Sequence, residues 1–151
     1  MYYHTNELSV ELPEIITDRS VNVLTVAESQ HSVPFQIIIN RDVLLNGENL
    51  QQCFDRQVAQ MTRQTQGFKV NVKGPVPVGK EGMEGLEIES SFKQTGKSFH
   101  QIQAMWITQA PKMVVLTLSS TVAINDGHRK LWRQALASVQ PASGGGGPKA
   151  S

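Results

Sequence analysis

Three segments in the second half of the chain alternate between apolar and polar residues, and they constrain the fold more than any other feature. They span about residues 86–93, 98–108 and 113–122, and only the segments QTGK and QAPK separate them. Connections this short are of hairpin length, and strands joined by them run antiparallel. The sequence therefore predicts an antiparallel sheet built around a meander of three strands.

Further strand patterns come before this meander. Alternation and turn signals place them at about 6–12, 20–27, 34–41 and 69–78. The last of these segments is interrupted by Gly74-Pro75, which predicts a break in the strand. The sheet is thus expected to be larger than the meander alone.

Two segments show helical rather than strand periodicity. Apolar residues at helical spacing predict an amphipathic helix over about 48–66, with Gly67 as its C-terminal stop. A second helix is predicted over about 127–139, capped by Asn125 or Asp126. The order of strands, helix, strands and helix predicts an α+β fold, with an antiparallel sheet and the helices packed mainly on one face.

Length and charge limit the classes of protein to consider. We assign positions 1–140 of the 151 residues to one domain, and positions 141–151, PASGGGGPKAS, to a flexible Gly-rich tail. The formal net charge is +1 and no cluster of Lys and Arg stands out, which argues against nucleic-acid binding. No segment has the pattern of a signal peptide or a membrane span, so we expect a cytoplasmic protein.

Three of the predicted strands have one purely apolar face and one mixed face. The apolar face, which we call the pure face, carries Phe35, Ile37, Ile39, Ile102, Ala104, Trp106, Val114, Leu116 and Leu118. The mixed face carries Gln36, Ile38, Asn40, Phe99, Gln101, Gln103, Met105, Met113, Val115, Thr117 and Ser119. We expect the helices to cover the pure face and to leave the mixed face, with its apolar residues, as an interaction site.

Two interpretations of the mixed face remain open. It could pack against loops or a second copy of the chain, because obligate homodimers bury apolar surface in this way. It could instead form a groove for an apolar helix, with its glutamines bonded to polar groups on that helix. A membrane segment would suit such a groove, because contacts between membrane helices combine close apolar packing with side-chain hydrogen bonds.

No constellation of residues indicates catalysis or metal binding. The histidines lie in different predicted elements and have no metal-ligand spacing. Cys53 falls on the apolar stripe of the first helix and is expected to be a small buried hydrophobic residue. Glu87 and Glu89 alternate with apolar residues, which is typical of the solvated face of a strand. We therefore predict a protein that is not an enzyme, with no catalytic residue, metal or cofactor.

Several segments, taken in order, resemble the Eag (effector-associated) chaperones of the DcrB-related group. They are DRSVNVL at 18–24, IIINRD at 37–42, LQQCFDRQVAQM at 50–61, PVPVGKEGMEGLEIESSF at 75–92 and FHQIQAM at 99–105. The closing helix with Leu131-Trp132 completes the set, so the resemblance covers almost the whole chain up to about Pro141.

The resemblance implies a specific fold and function. The family is expected to have a Mog1/PsbP-like α+β fold and to work as a homodimer. Its members bind the N-terminal hydrophobic segments of type VI secretion effectors, often Rhs proteins with a PAAR domain. They keep these segments soluble in the cytoplasm without inserting into the membrane themselves, and they help to load the effector on the secretion spike.

The resemblance also implies which residues contact the effector, namely apolar residues and glutamines on the concave face of the sheet. Carried over to this sequence, they are Val21, Val23, Gln36, Ile38, Asn40, Gln57, Met61, Phe99, Gln101, Gln103 and Met105. Asn40 departs from the small hydroxyl residue expected there, and Met61 fits the core stripe of its helix equally well. The alternation leaves open which face Val21 and Val23 occupy.

One alternative of the same fold stays open. The chain could be a non-catalytic structural or assembly protein similar to the DcrB or PsbP groups. Members of those groups usually lie outside the cytoplasm, so the absence of a signal-peptide pattern favours the chaperone.

Overall fold

The structure is a computed structural model that describes residues 2–4, 9–11, 21–26 and 34–140. The predicted tail at 141–151 lies outside these residues, as does most of the strand predicted at 6–12. The strands are β1 (Tyr2–His4), β2 (Ser9–Glu11), β3 (Val21–Val26), β4 (Phe35–Val43), β5 (Gln66–Val78), β6 (Met83–Gln94), β7 (Lys97–Gln109) and β8 (Lys112–Ser120). The helices are α1 (Leu50–Gln64) and α2 (Asp126–Ser138).

Six of these strands form one antiparallel sheet in the order β3-β4-β8-β7-β6-β5, and β1 pairs with β2 in a small separate sheet. The meander predicted from the sequence is β6, β7 and β8, in which each strand pairs with the next. The first hairpin turns at Thr95 and Gly96, whose φ angles are 49° and 80°. Two consecutive positive φ angles are the geometry that the twist of a tight hairpin requires. The α+β class with an antiparallel sheet is confirmed.

The strand β5 is continuous through Gly74-Pro75, where the sequence predicted a break. Gly74 pairs with Glu87 and Pro75 pairs with Leu86 without interruption. Within the described residues β5 is the last strand of the sheet and has one neighbour. A proline is tolerated at such an edge because one side of the strand has no ladder hydrogen bonds to lose.

Both helices begin with an asparagine capping box. The Asn49 side chain accepts a hydrogen bond from the N–H of Gln52, whose own side chain accepts from the N–H of Asn49. Asn125 and His128 form the equivalent pair at α2. Each pair satisfies N–H groups that the first helical turn leaves without partners.

Gly67 is not the C-terminal stop of α1. The helix ends at Gln64 and is capped by Thr65, whose backbone N–H and Oγ1 both donate to the carbonyl oxygen of Met61. Gly67 lies instead inside β5, with φ of 61°, at an irregularity in the pairing with β6. A positive φ at a bulge favours glycine as strongly as a helix end does, so the residue alone did not distinguish the two.

The two helices lie on opposite faces of the sheet, which corrects the prediction that they lie on one face. Trp132 and Leu136 of α2 are buried on the pure face, in a core with Phe35, Val76, Val78, Ile102, Ala104, Trp106, Leu116 and Leu118. Leu50, Cys53 and Phe54 of α1 are buried on the mixed face, in a second core with Leu86, Ile88, Met105, Met113 and Val115. An apolar helical stripe indicates that one side is buried, but not against which face of the sheet.

Two glutamates on β6 attach α2 to the sheet. Glu87 Oε2 accepts a hydrogen bond from Trp132 Nε1 at 2.6 Å and pairs with Arg133 at 3.2 Å. Glu89 forms an ion pair with Arg129 at 3.1 Å. The carboxylates predicted to be solvated therefore face α2, and they bond it to the pure face of the sheet.

Candidate functional site

The antiparallel register places all nine sheet residues predicted to bind a partner on the mixed face. Val23 lies opposite Ile38, which lies opposite Thr117, and Thr117 lies opposite Gln103. Val21 lies opposite Asn40, which settles the face that the sequence left open for the two β3 valines. Cross-strand partners point to the same side of a sheet, so this grouping follows from the pairing.

A row of uncharged polar residues crosses five strands of the mixed face. In spatial order these cross-strand partners are Thr25, Gln36, Ser119, Gln101 and Ser90. Next to this row, Phe99 stacks on Phe92 with ring centroids 5.5 Å apart and an interplanar angle of 24°. A neutral polar row therefore lies beside an aromatic pair on the mixed face.

The helix α1 covers one end of the mixed face. Met105 and Val115 are each 5% exposed beneath it, in contact with the apolar stripe that includes Phe54. Both were expected to belong to an exposed patch, and the structure places them in the second core instead. Met105 therefore packs in the second core under α1 and is not accessible at the surface of the sheet.

We call the part of the mixed face next to α1 the open face; Asp42 and Lys73 lie on the same side of the sheet and border it. It consists of Val21, Val23, Thr25, Gln36, Ile38, Asn40, Ser90, Phe92, Phe99, Gln101, Gln103, Thr117 and Ser119. Its exposure is graded across the sheet. Val21 and Val23 are each 54% exposed at the β3 edge, Ile38 and Phe99 are half-buried, and Thr117 is fully buried at the centre. The open face thus has a close-packed polar floor and an exposed apolar margin.

The predicted helix residues, Gln57 and Met61, lie one turn apart on α1 and are both half-buried. Gln57 Nε2 donates to Asp42 Oδ2 at 3.1 Å and also lies 3.5 Å from the Sγ of Cys53. Gln57 therefore joins α1 to the end of β4, and its amide already has partners within the chain.

An ion pair fixes the start of α1. Arg56 donates two hydrogen bonds to the carboxylate of Glu48 at 2.7 and 3.0 Å, and the N–H of Leu45 donates a third at 3.0 Å. These donors, Arg56 first, lower the pKa of Glu48 to about 2. Cys53 next to them is fully buried, and burial raises the pKa of its thiol. A buried thiol with a raised pKa is not a reactive nucleophile.

Hydrogen bonding on the open face is incomplete. Gln103 Nε2 donates to Thr117 Oγ1 at 3.1 Å. The Oγ of Ser90 and the Oε1 of Gln101 are buried, and neither has a hydrogen-bond partner in the described part of the chain. Sequence reasoning missed Ser90, whose signal was its place among Leu86, Ile88 and Phe92 on an otherwise apolar face of β6.

The described residues contain no group of three or more His, Cys, Asp or Glu side chains placed to hold a metal ion. Among the same residues, no helix is long and apolar enough to cross a membrane. The chemistry that the arrangement offers is therefore apolar contact combined with hydrogen bonding from uncharged side chains.

Comparisons with known proteins identify relatives of the chain and of its fold. The family model described as DcrB matches residues 7–138. The protein named Effector EagT6 from Pseudomonas aeruginosa PAO1 is 22% identical over 139 residues, covering 92% of this chain and 94% of that protein. The crystal structure of PA94 from P. aeruginosa, a protein of unknown function described as a candidate regulator, superposes with a TM-score of 0.74. It is 22% identical, and the match covers 93% of this chain and 96% of that one.

Proposed function

The chain belongs to the DcrB family, and from that premise we propose that it is a chaperone of type VI secretion. In this proposal it binds the N-terminal, transmembrane-like helices of an effector, of the Rhs type with a PAAR domain, and shields them in the cytoplasm until the effector is loaded. It acts as a homodimer, without a cofactor and without entering the membrane. The similarity to EagT6, together with the Eag-like segments of the sequence, supports an effector as the partner.

The observation that carries the proposal is the composition of the open face. Its exposed margin is apolar at Val21 and Val23, while its interior presents glutamines and hydroxyl groups without any charged side chain. A purely apolar surface would bind any exposed hydrophobic segment, and a charged one would exclude a membrane helix. Neutral polar groups next to apolar ones reproduce the contacts that membrane helices make with one another.

The position of α1 supports the same proposal. This helix already lies on the mixed face, where Leu50, Cys53 and Phe54 pack against the sheet. The mixed face therefore accepts an amphipathic helix within the chain itself. The proposed effector helix would lie beside α1 on the remaining surface, with Ile38 and Phe99 as its apolar contacts.

The test is co-expression with the apolar N-terminal region of the effector encoded beside this chain, followed by size-exclusion chromatography with light scattering. We expect a soluble complex, whereas the fragment expressed alone aggregates. The measured mass gives the stoichiometry and shows whether the chaperone is a dimer. An effector fragment from which the apolar region is deleted serves as the control, and its retention in the complex would refute the mechanism. If the fragment pellets in the presence of the chaperone, the structural or assembly role becomes the better reading.

A further inference from the structure

The loop between β4 and α1 contains the only Asn-Gly pair of the chain. Asn46 and Gly47 are the central residues of a turn, which the N–H of Glu48 closes by donating to the carbonyl oxygen of Leu45 at 2.9 Å. The φ angle of Gly47 is 78°, the value of the third residue in a type II turn, where glycine is favoured. The turn leads directly to Asn49, the N-cap of α1.

The side chain of Asn46 and the backbone nitrogen of Gly47 are both accessible. The two residues are exposed, and neither the carboxamide nor this N–H forms a hydrogen bond with any described residue. Apart from the adjoining residues, no heavy atom lies within 4 Å of the position that a Cβ on Gly47 would occupy. The carboxamide can therefore approach the Gly47 nitrogen without displacing another group.

The other described asparagines are bonded or hindered. The side chains of Asn22, Asn49 and Asn125 all accept hydrogen bonds. Asn40 is half-buried in β4. Asn71 is exposed, but it lies within β5 and precedes a β-branched valine, whose side chain crowds the backbone nitrogen. Asn46 thus differs from all of them in having a free side chain next to an open nitrogen.

From these observations we infer that Asn46 is a site of spontaneous deamidation, which converts the turn before α1 into aspartyl and isoaspartyl forms. The backbone nitrogen of Gly47 loses its proton to water and bonds to Cγ of Asn46. The Cγ–Nδ2 bond breaks, and the amide nitrogen takes up a proton and leaves as ammonia. Water then opens the succinimide ring, and nothing is oxidised or reduced. Opening at Cγ leaves aspartate at position 46, whereas opening at the main-chain carbonyl leaves isoaspartate, whose main chain runs through Cβ and Cγ.

The isoaspartyl form is expected to disturb the start of α1. Two hydrogen bonds span the reacting pair in opposite directions, from the N–H of Leu45 to Glu48 Oε1 at 3.0 Å and from the N–H of Glu48 to the Leu45 carbonyl. An additional main-chain carbon between these residues breaks their match. Glu48 also pairs with Arg56 of α1 at 2.7 Å, so the change reaches the helix. The inference does not depend on the proposed function, because it concerns the chain alone.

The experiment incubates the full chain in mildly alkaline buffer at physiological temperature and locates the modification by peptide mapping with mass spectrometry. We expect Asn46 to exchange its amide for a carboxylate at least about tenfold faster than Asn71, because glycine leaves the attacking nitrogen open and valine does not. The variant Asn46→Gln is expected to lose the modification. Equal rates at the two asparagines, or modification of Asn46 only in denaturant, would overturn the inference.

A second measurement tests the effect on α1. Anion-exchange chromatography isolates the modified protein, and methylation by a protein isoaspartate methyltransferase measures its isoaspartyl fraction. We expect the isoaspartyl form to melt about 3 °C lower than the unmodified protein, the effect of about one lost hydrogen bond. The matched control is Asn46→Asp, which adds the charge without lengthening the main chain and is expected to melt with the unmodified protein. An isoaspartyl form that also melts with the unmodified protein would overturn the effect on α1.

Discussion

The glutamines predicted to contact the effector differ in how many of their hydrogen-bonding groups are already used within the chain. Gln57 is bonded to Asp42, and Gln103 is bonded to Thr117. Among residues 34–140, the Oε1 of Gln101 has no hydrogen-bond partner. The sequence alone does not distinguish these glutamines. The structure separates them into two whose amides are bonded within the chain and one whose Oε1 is not bonded to any described residue.

A single apolar residue of the open face provides a direct test of the proposed function. Ile38 is half-buried on β4, opposite Val23 and Thr117. We expect Ile38→Asp to weaken binding of the effector fragment at least about a hundredfold, because a carboxylate facing an apolar helix loses its water without gaining a partner. The measurement is anisotropy with the labelled fragment, after circular dichroism has shown that the variant is folded.

The control for this substitution is Val72→Asp. Val72 is a β-branched apolar residue that is 63% exposed, and its partner Glu89 places it on the opposite face of the sheet. Binding should be unchanged in this variant. A folded Ile38→Asp variant that binds normally would move the effector site away from the open face.

At the scale of elements, strands were easier to predict than the arrangement of helices. The alternation of β7 and β8 predicted both the pairing and the two faces, because a period of two fixes which residues share a side. The position of α1 depended on tertiary packing. The only sequence signal was that Met105, Met113 and Val115 concentrate apolar residues at one end of the mixed face, where α1 now lies.

The ion pair at the start of α1 makes the stability of that element depend on pH. The donors around Glu48 lower its pKa from 4.5 to about 2, so folding favours the carboxylate form. Stability from this group is complete above pH 4.5 and is lost as the pH falls from 4.5 towards 2. We expect Glu48→Gln to lower the urea midpoint at pH 7, and the difference from the unsubstituted protein to shrink at pH 3.

Glu81→Gln, on the exposed loop after β5, is the matched control and is expected to leave the midpoint nearly unchanged at pH 7. A Glu48→Gln variant whose midpoint differs equally from that of the parent at pH 7 and pH 3 would contradict the role assigned to this ion pair.

One buried hydrogen bond adds to the apolar contacts and ion pairs that hold α2 on the pure face. Trp132 is 1% exposed and donates through Nε1 to Glu87 at 2.6 Å. We expect Trp132→Phe to reduce the free energy of unfolding by about 2–4 kcal/mol, because it removes a charge-assisted hydrogen bond as well as apolar volume. Trp106→Phe removes the same volume from the same core, and no hydrogen bond of Trp106 is seen among the described residues. Equal destabilisation by the two substitutions, measured by urea denaturation, would show that the hydrogen bond contributes little.

At the scale of the whole molecule, the two faces of the sheet differ in how much of each is covered by a helix. The pure face is closed by α2, with Trp132 and Leu136 at its centre. Of the described elements, α1 covers one end of the mixed face, and the buried polar residues Thr117 and Ser119 continue beyond the helix. Composition and charge predicted a non-catalytic binding protein from the sequence. The boundary between the second core and the open face depends on where α1 lies. The amphipathic pattern of α1 does not predict that position.

The distribution of charge over the molecule leads to the last prediction. The chain carries a formal net charge of +1, and the open face contains no charged side chain. Salt screens interactions between charges but leaves apolar contacts intact or slightly strengthens them. The dissociation constant for the effector fragment should therefore change by less than about twofold between 50 and 500 mM sodium chloride. A complex held by charges at the margin, such as Asp42 or Lys73, would weaken more than about tenfold over the same range. That result would place the main contact outside the open face, even if Ile38→Asp also reduced binding.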